Sequence, residues 1–179
     1  MALTRTAFQL LLDIDQRCRS LAAGLPLQET RQQGWSGIGF RMAGLQYVAP
    51  ISEVAEILNE PRCAAVPGVK PWVHGVANLR GRLLPVMDLC IFFGYEPPSA
   101  RKQRRVLVIE YQDLLTGLLV DDVLGMQHFN ERSLMPGVDA EGEAIAPFLR
   151  GQFLREQSWR VFSPKMLVQA PGFVDIAAQ

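Results

Sequence analysis

His74 and His128 are the only histidines of this chain, and Cys18, Cys63 and Cys90 are its only thiols. Zinc and general-base sites need such residues in clusters: HExxH sets two ligands one helical turn apart, and structural zinc uses CxxC pairs. Here the histidines stand 54 residues apart and no two cysteines approach CxxC spacing, so no metal and no disulfide framework is expected. The thiols read as small buried hydrophobes in a reducing compartment. Asp121-Asp122 has the residue types for paired acid–base work, but its setting suggests the cap and first turn of a short helix. Gly34, Gly37 and Gly39 in "GWSGIGF" fit none of GxGxxG, GxxxxGKS/T or GxSxG, and a strand rather than a helix follows them. Nucleophile, tuned acid and metal set are all missing, so neither an enzyme activity nor a cofactor is expected.

Charge excludes little more. Eighteen Lys and Arg balance 18 Asp and Glu, so no global field draws the chain to nucleic acid or an anionic membrane. The one dense basic run, Arg101-Lys102-Gln103-Arg104-Arg105, lacks interleaved aromatics for base stacking and reads as a solvated, mobile connection. A single-strand nucleic-acid module is the rival class, because small barrels often hold single strands; salt-sensitive binding would reveal it. Asp13, Asp15 and Arg17 interrupt any signal-peptide stretch near the N-terminus, and no run of ~18 apolar residues could cross a bilayer. A cytoplasmic location without membrane insertion is the expectation.

What remains is recognition, concentrated in "VPGVKPWVHGVANLRGRLLPVMDL", residues 66 to 89. The strand Val76 to Leu79 runs into Arg80-Gly81, and Leu83 to Leu89 runs back. Gly81 can take the positive φ that such a turn needs, which holds Arg80 in one orientation at the tip. Pro85 cannot donate a ladder hydrogen bond, so the returning strand is expected on an edge or with a bulge. A rigid arginine beside exposed leucines is a docking surface, because its planar fork and apolar stem suit interface hot spots.

The elements that position this turn are short strands. Residues 6 to 24 form an amphipathic helix, with Phe8, Leu11, Leu12, Cys18, Leu21 and Ala22 on one side and the i,i+4 pairs Asp13/Arg17 and Asp15/Arg19 on the other. It ends at Gly24 and Pro26, and Gln28 to Gly34 reads as a linker. From Ile38 the period becomes two. Ile51 to Ile57 predicts a helical turn running into an extended piece, and Asp88 to Gly94 a short helix closed by glycine. The sequence also repeats: at an offset of 69, "IGFRMAGLQYVAPISEVAEI" lies over "LVIEYQDLLTGLLVDDVLGM" without a gap. Farther on the offset is 76, laying Pro71-Trp72-Val73-His74-Gly75 over Pro147-Phe148-Leu149-Arg150-Gly151, and the extra residues fall in the polar stretch Gly137 to Glu143. Two similar halves of short strands imply two small barrels sharing an apolar interface, with the groove between them as the place to bind something.

The tract "VPGVKPWVHGVANLRGRLLPVMDL", followed by "FFG", resembles the signature of CheW-like domains, the adaptors of bacterial chemotaxis arrays. "YVAPISEVAEIL" and "TGLLVDDVLGM" occupy places where that family carries similar segments, so the likeness spans roughly residues 36 to 168. "FQLLLDIDQRCRSLAAGLP" and "GVANLRGRLLPVMDLC" are further similar to the CheW-like proteins of systems controlling type IV pili and twitching motility. The resemblance implies a mainly β fold of two SH3-like five-stranded β-barrel subdomains with short helices, after an N-terminal helix and linker over residues 1–35. The first barrel would cover roughly 36–100 and the second roughly 101–170 of a domain running to 179, with termini free to cross between barrels. It implies a non-catalytic adaptor between the cytoplasmic tip of a methyl-accepting chemoreceptor and the regulatory domain of a CheA-type histidine kinase. By position, Arg80 matches the arginine that the family uses for receptor and kinase coupling, and Asn78, Leu79 and Gly81 complete its motif. Val54 and Glu56 match positions at the mouth of the receptor groove. Asp88 falls on the family's aspartate, expected to fix the following helix. Ser163-Pro164 departs from the family pattern and is expected to end its strand early.

Overall fold

A computed structural model describes residues 7–21, 34–96 and 103–178. The chain divides into two units, Met1–Gln32 and Gln33–Gln179. In the first, α1 (Ala7–Leu21) carries the expected Asp13–Arg17 ion pair at 2.9 Å. Its expected stop at Gly24 and Pro26, the linker from Gln28 to Gln33, and the side chains of Arg19 and Ala22 lie outside the described residues.

The second unit is mainly β. Its first hairpin, β1 (Gly34–Met42) and β2 (Leu45–Pro50), leads through a 3-10 turn at Ile51–Glu53 to β3 (Glu56–Asn59). Then come β4 (Val73–Leu79), β5 (Arg82–Asp88) and the single helical turn α2 (Leu89–Phe92). The second half repeats the plan with β6 (Arg105–Tyr111), β7 (Leu114–Val120), β8 (Asp122–Asn130), β9 (Leu134–Met135), β10 (Leu149–Leu154) and β11 (Ser158–Phe162). Two short helices, α3 (Pro164–Val168) and α4 (Pro171–Val174), follow. The repeat is visible in the backbone. Ala43 and Gln112, 69 residues apart, open the two hairpin turns at φ 50° and 53°, and Gly75 and Gly151, 76 apart, sit at φ 145° and 144°.

Sheet pairing departs from contiguous barrels at 36–100 and 101–170. One sheet runs β8-β1-β2-β11-β10-β9 and the other β3-β6-β7-β5-β4. Each half therefore gives its leading hairpin to the other half's sheet, joined by parallel pairs: Val48 beside Val161, and Val86 beside Gly117. The sheets have six and five strands rather than five each.

This exchange leaves the central strands buried on both faces. In β6, Val106 and Val108 point into a small core with Leu84, Val86 and Leu119, while Leu107 and Ile109 point into a central cluster. In β2, Val48 faces a third core of Phe129, Phe153, Trp159 and Val161, while Tyr47 and Ala49 face the centre. Side chains alternate between two apolar environments, which is why these strands read as near-continuous hydrophobic runs. The central cluster contains Phe40, Met42, Leu107, Leu118, Phe162 and Leu167, each at 0% exposure, so the seam between the halves is packed core and not the open groove expected there. Each such side chain contributes about 1.5–3 kcal/mol of burial.

Two local readings change in the structure and a third holds. Asp121 and Asp122 do not begin a helix: Asp121 sits in a bend, where its carboxylate accepts from Ala43 N at 2.9 Å and from the Cys90 thiol at 3.3 Å, and Asp122 opens β8. The carboxylate is needed to tie two hairpins together, so it cannot cap a helix. Strand β5 is not an edge either. It lies between β7 and β4; the parallel ladder to β7 starts at Val86, past Pro85, and the irregularity in its pairing with β4 lies between Val73 and Gly75. Ser163-Pro164 does end β11, because Ser163 caps α3 by accepting from Met166 N, with Pro164 in the first helical position.

The thiols differ from one another: Cys18 is exposed, Cys63 half-buried and Cys90 buried. Burial first, and then the neighbouring Asp121 carboxylate, pushes the Cys90 thiol up to about 12. Brief alkylation at pH 8 is therefore expected to modify Cys18 and to leave Cys90 untouched until the protein unfolds. Mass spectrometry of the labelled peptides checks this, and native labelling of Cys90 at the rate of Cys18 would contradict it.

Candidate functional site

The tip of the β4–β5 hairpin is a two-residue turn in which both central residues have positive φ, Arg80 at 52° and Gly81 at 85°. That is the type I′ geometry that suits the twist of a tight hairpin, and Asn or Gly is its usual occupant. An arginine there costs about 1–2 kcal/mol. Asn78 offsets part of this by accepting the Gly81 N–H on its Oδ1 at 2.8 Å, and Leu79 packs against the small core beneath the hairpin. The turn is thus held from below and presents its arginine outward.

Arg80 remains 78% exposed while its Nη2 donates to Glu56 Oε1 at 2.7 Å. Arg82 mirrors it across the hairpin, donating to Glu110 at 2.9 Å. Such exposed pairs contribute little to stability, roughly 0–1 kcal/mol each. Their geometric effect matters more: each carboxylate holds a guanidinium with most of its five donors facing outward.

Of the six residues singled out by position, the fold brings Asn78, Leu79, Arg80, Gly81 and Glu56 together. Val54 goes elsewhere: it lies between the 3-10 turn and β3, with its side chain against the central cluster.

The opposite end of β5 carries a network that sequence reasoning missed. Asp88 accepts from Ile91 N at 3.3 Å and so caps α2, as expected, but it also forms a buried ion pair with Arg104. Glu60 lies 3.8 Å from Arg104 and 3.3 Å from His74 Nε2. Arg104 was read with the mobile basic run, yet its side chain is only 4% exposed, because the fold delivers Asp88 to it; Arg101 and Lys102 lie outside the described residues. A second missed group is Glu53, which accepts from Ser163 Oγ at 2.8 Å, Lys165 N at 2.9 Å and Arg150 at 3.0 Å, tying the first half to the start of α3. Neither leaves a signal in local sequence, since both depend on residues far along the chain.

Among the described residues no group of His, Cys, Asp and Glu is arranged to hold a metal ion, and no helix is long and apolar enough to cross a membrane. The arrangement holds an arginine-tipped turn at the protein surface.

The comparisons with known proteins agree with this picture. The family model for the CheW-like domain matches residues 36–171. The chain is 58% identical over 177 residues to "Protein PilI" of Pseudomonas aeruginosa, covering 99% of both chains. It is 32% identical over 111 residues to "Chemotaxis protein CheW" of Helicobacter pylori, covering 62% of this chain and 67% of that one. It is also 28% identical over 109 residues to "Protein FrzA" of Myxococcus xanthus, with 59% and 68% covered. Among solved structures, scaffolding protein TtCheW from Thermoanaerobacter tengcongensis shares the fold, with a TM-score of 0.69, 22% identity, and 80% and 99% of the two chains covered. A duplicated, strand-exchanged β domain with this hairpin and these likenesses belongs to the CheW-like domain family.

Proposed function

We propose that this protein is a non-catalytic adaptor of a chemosensory pathway controlling type IV pili, coupling a methyl-accepting chemoreceptor to the regulatory domain of a CheA-type histidine kinase from the cytoplasmic side. The observation that carries this reading is the likeness to PilI, which extends over 99% of both chains and so includes sequence ahead of the family region. The exposed Arg80 turn, with Asn78, Leu79, Gly81 and Glu56, is the contact surface of the adaptor, and Val54, packed against the central cluster, is not part of it.

An interface of ordinary size, about 800 Å² per partner, needs only a few anchors to reach micromolar affinity. Arrays of such contacts gain strength from multiplicity. Arg80→Ala is expected to weaken binding to the kinase regulatory domain or the receptor tip by roughly tenfold or more, the range of a hot-spot arginine. Folding stability should move by less than about 1 kcal/mol, since an exposed ion pair is lost and the positive φ is kept. Pull-down and calorimetry with the separate partners test this, alongside thermal unfolding. Undiminished binding of the variant to both partners would remove Arg80 from the contact surface.

A further inference from the structure

Strand β5 continues from the Arg80 turn into a second surface that the adaptor reading does not use. Leu84 and Val86 point inward, so Leu83 and Pro85 face out, and Leu83 is 74% exposed. Beyond Leu83 lies a cleft of about 110 Å³ between β5, β7 and the chain's end, walled by Pro85, Met87, Leu114, Leu115, Val174 and Ile176. The Thr116 hydroxyl, also in its lining, is engaged by the Pro85 carbonyl at 3.3 Å, so the cleft presents almost only apolar surface.

The repeat shows how unusual this is. By the matching parallel registers, Val86 beside Gly117 and Val161 beside Val48, the positions equivalent to Leu114, Leu115 and Pro85 in the other sheet are Leu45, Gln46 and Arg160, and there the pocket is lined by polar groups. Arg160 donates to the Asp139 carbonyl at 2.9 Å and to Glu143 at 2.8 Å, which holds the Glu143 carboxylate below its ordinary value. The long loop is thereby fastened to Arg160 as one wall of that pocket. Over the β5–β7 cleft the covering segment is the tail around Val174 and Ile176. Phe173 anchors it in the central cluster, and its hydrogen bonds lie on the far side, where Lys70 N donates to the Ile176 carbonyl at 2.9 Å, Ala178 N to Gly68 at 3.0 Å, and Lys70 pairs with Asp175 at 2.8 Å. Among the described residues no hydrogen bond joins this tail to β5 or β7, and Val174 stays 54% exposed. One site is lined by polar groups of the loop and of Arg160; its counterpart is lined by apolar side chains and is continuous with the Arg80–Arg82 turn.

We propose that Leu83 and this cleft form a docking surface for an amphipathic helix of a partner protein, with aliphatic side chains entering the cleft and acidic side chains facing Arg82 and Arg80. The proposal rests on the adaptor reading. Exposed apolar patches rimmed by charge mark such sites. Outward residues of a strand recur about every 6.8 Å, close to the ~5–6 Å spacing of helical residues three or four apart, so a helix lying along β5 meets both Leu83 and the cleft. Both guanidinium groups at the near end favour carboxylates on the helix.

The test measures affinity for a soluble receptor-tip fragment and, separately, for the kinase regulatory domain. Leu83→Ser and Val174→Ser are compared with Met126→Ser and Leu154→Ser, which are 52% and 55% exposed on the other sheet. Loss of tenfold or more for the first two against one partner, with the controls within twofold and all variants folded by circular dichroism, is the expected result. If Leu83→Ser and Val174→Ser bind both partners like the parent while Arg80→Ala is weakened, the cleft is not a docking surface and the adaptor reading stands. If the parent binds neither partner, the adaptor reading falls and takes this proposal with it. Photocross-linking from position 83 should capture a partner segment with apolar residues three or four apart beside acidic ones; capture of a segment without that spacing overturns the helical assignment.

Discussion

Arg104→Met is expected to lower the free energy of unfolding by about 3–5 kcal/mol, the range for breaking a buried ion pair by removing one partner. The side chains of Arg104 and Asp88 are 4% and 2% exposed, so the variant leaves a carboxylate in a site from which water is excluded. Glu60, 3.8 Å from Arg104, loses a cation as well. The magnitude measures the cost of an orphaned charge, and it does not make the intact pair a large net source of stability. The double variant Asp88→Asn/Arg104→Met should therefore recover part of the loss, because no buried charge then remains and an asparagine side chain can still cap α2. Urea denaturation of the parent, both single variants and the double variant gives the comparison. A single variant that unfolds within about 1 kcal/mol of the parent would mean that Asp88 reaches water or another cation.

Gly75→Ala and Gly151→Ala should each cost about 3 kcal/mol or more, combining positive-φ strain with a backbone collision. Both glycines sit near φ 145°, and a Cβ at either would lie 2.6 Å from the Ala64 carbonyl oxygen or 2.5 Å from that of Met135. Those oxygens belong to backbone that pairs with β4 and β10, and so cannot swing away as a flexible side chain would. Gly81→Ala is the internal control: its φ is also positive, at 85°, but a Cβ there meets nothing within 4 Å. It should lose only the strain, about 1–2 kcal/mol. Equal losses for Gly75→Ala and Gly81→Ala in chemical denaturation would show that the strands can move apart without cost.

These effects divide along the line between what residues declare locally and what distant partners impose. Hairpin turns, the α2 cap at Asp88, the break at Ser163-Pro164 and the duplication were legible, because turn chemistry and alternation act between near neighbours. Even the matched conformations of Gly75 and Gly151 follow a repeat visible as letters. The Arg80 turn was legible in the same way, down to the need for positive φ at Gly81.

Strand exchange was not. Alternation states which face of a strand is buried, but not which neighbour takes its hydrogen bonds, and a strand apolar on both faces can serve either sheet. For the same reason the seam could be read as a groove, although Phe40, Leu107 and Phe162 fill it. Charge is the other blind spot: the letters of Arg104 are those of any surface arginine, and only folding brings Asp88 across 16 residues to neutralise it in the core. By itself, then, the sequence determined the strands, the turns and the presented arginine, all properties of a few adjacent residues. Tertiary structure alone decided the pairing of the halves, the closed seam, the buried pair and the open apolar cleft, since each depends on contacts between segments that the chain order keeps apart.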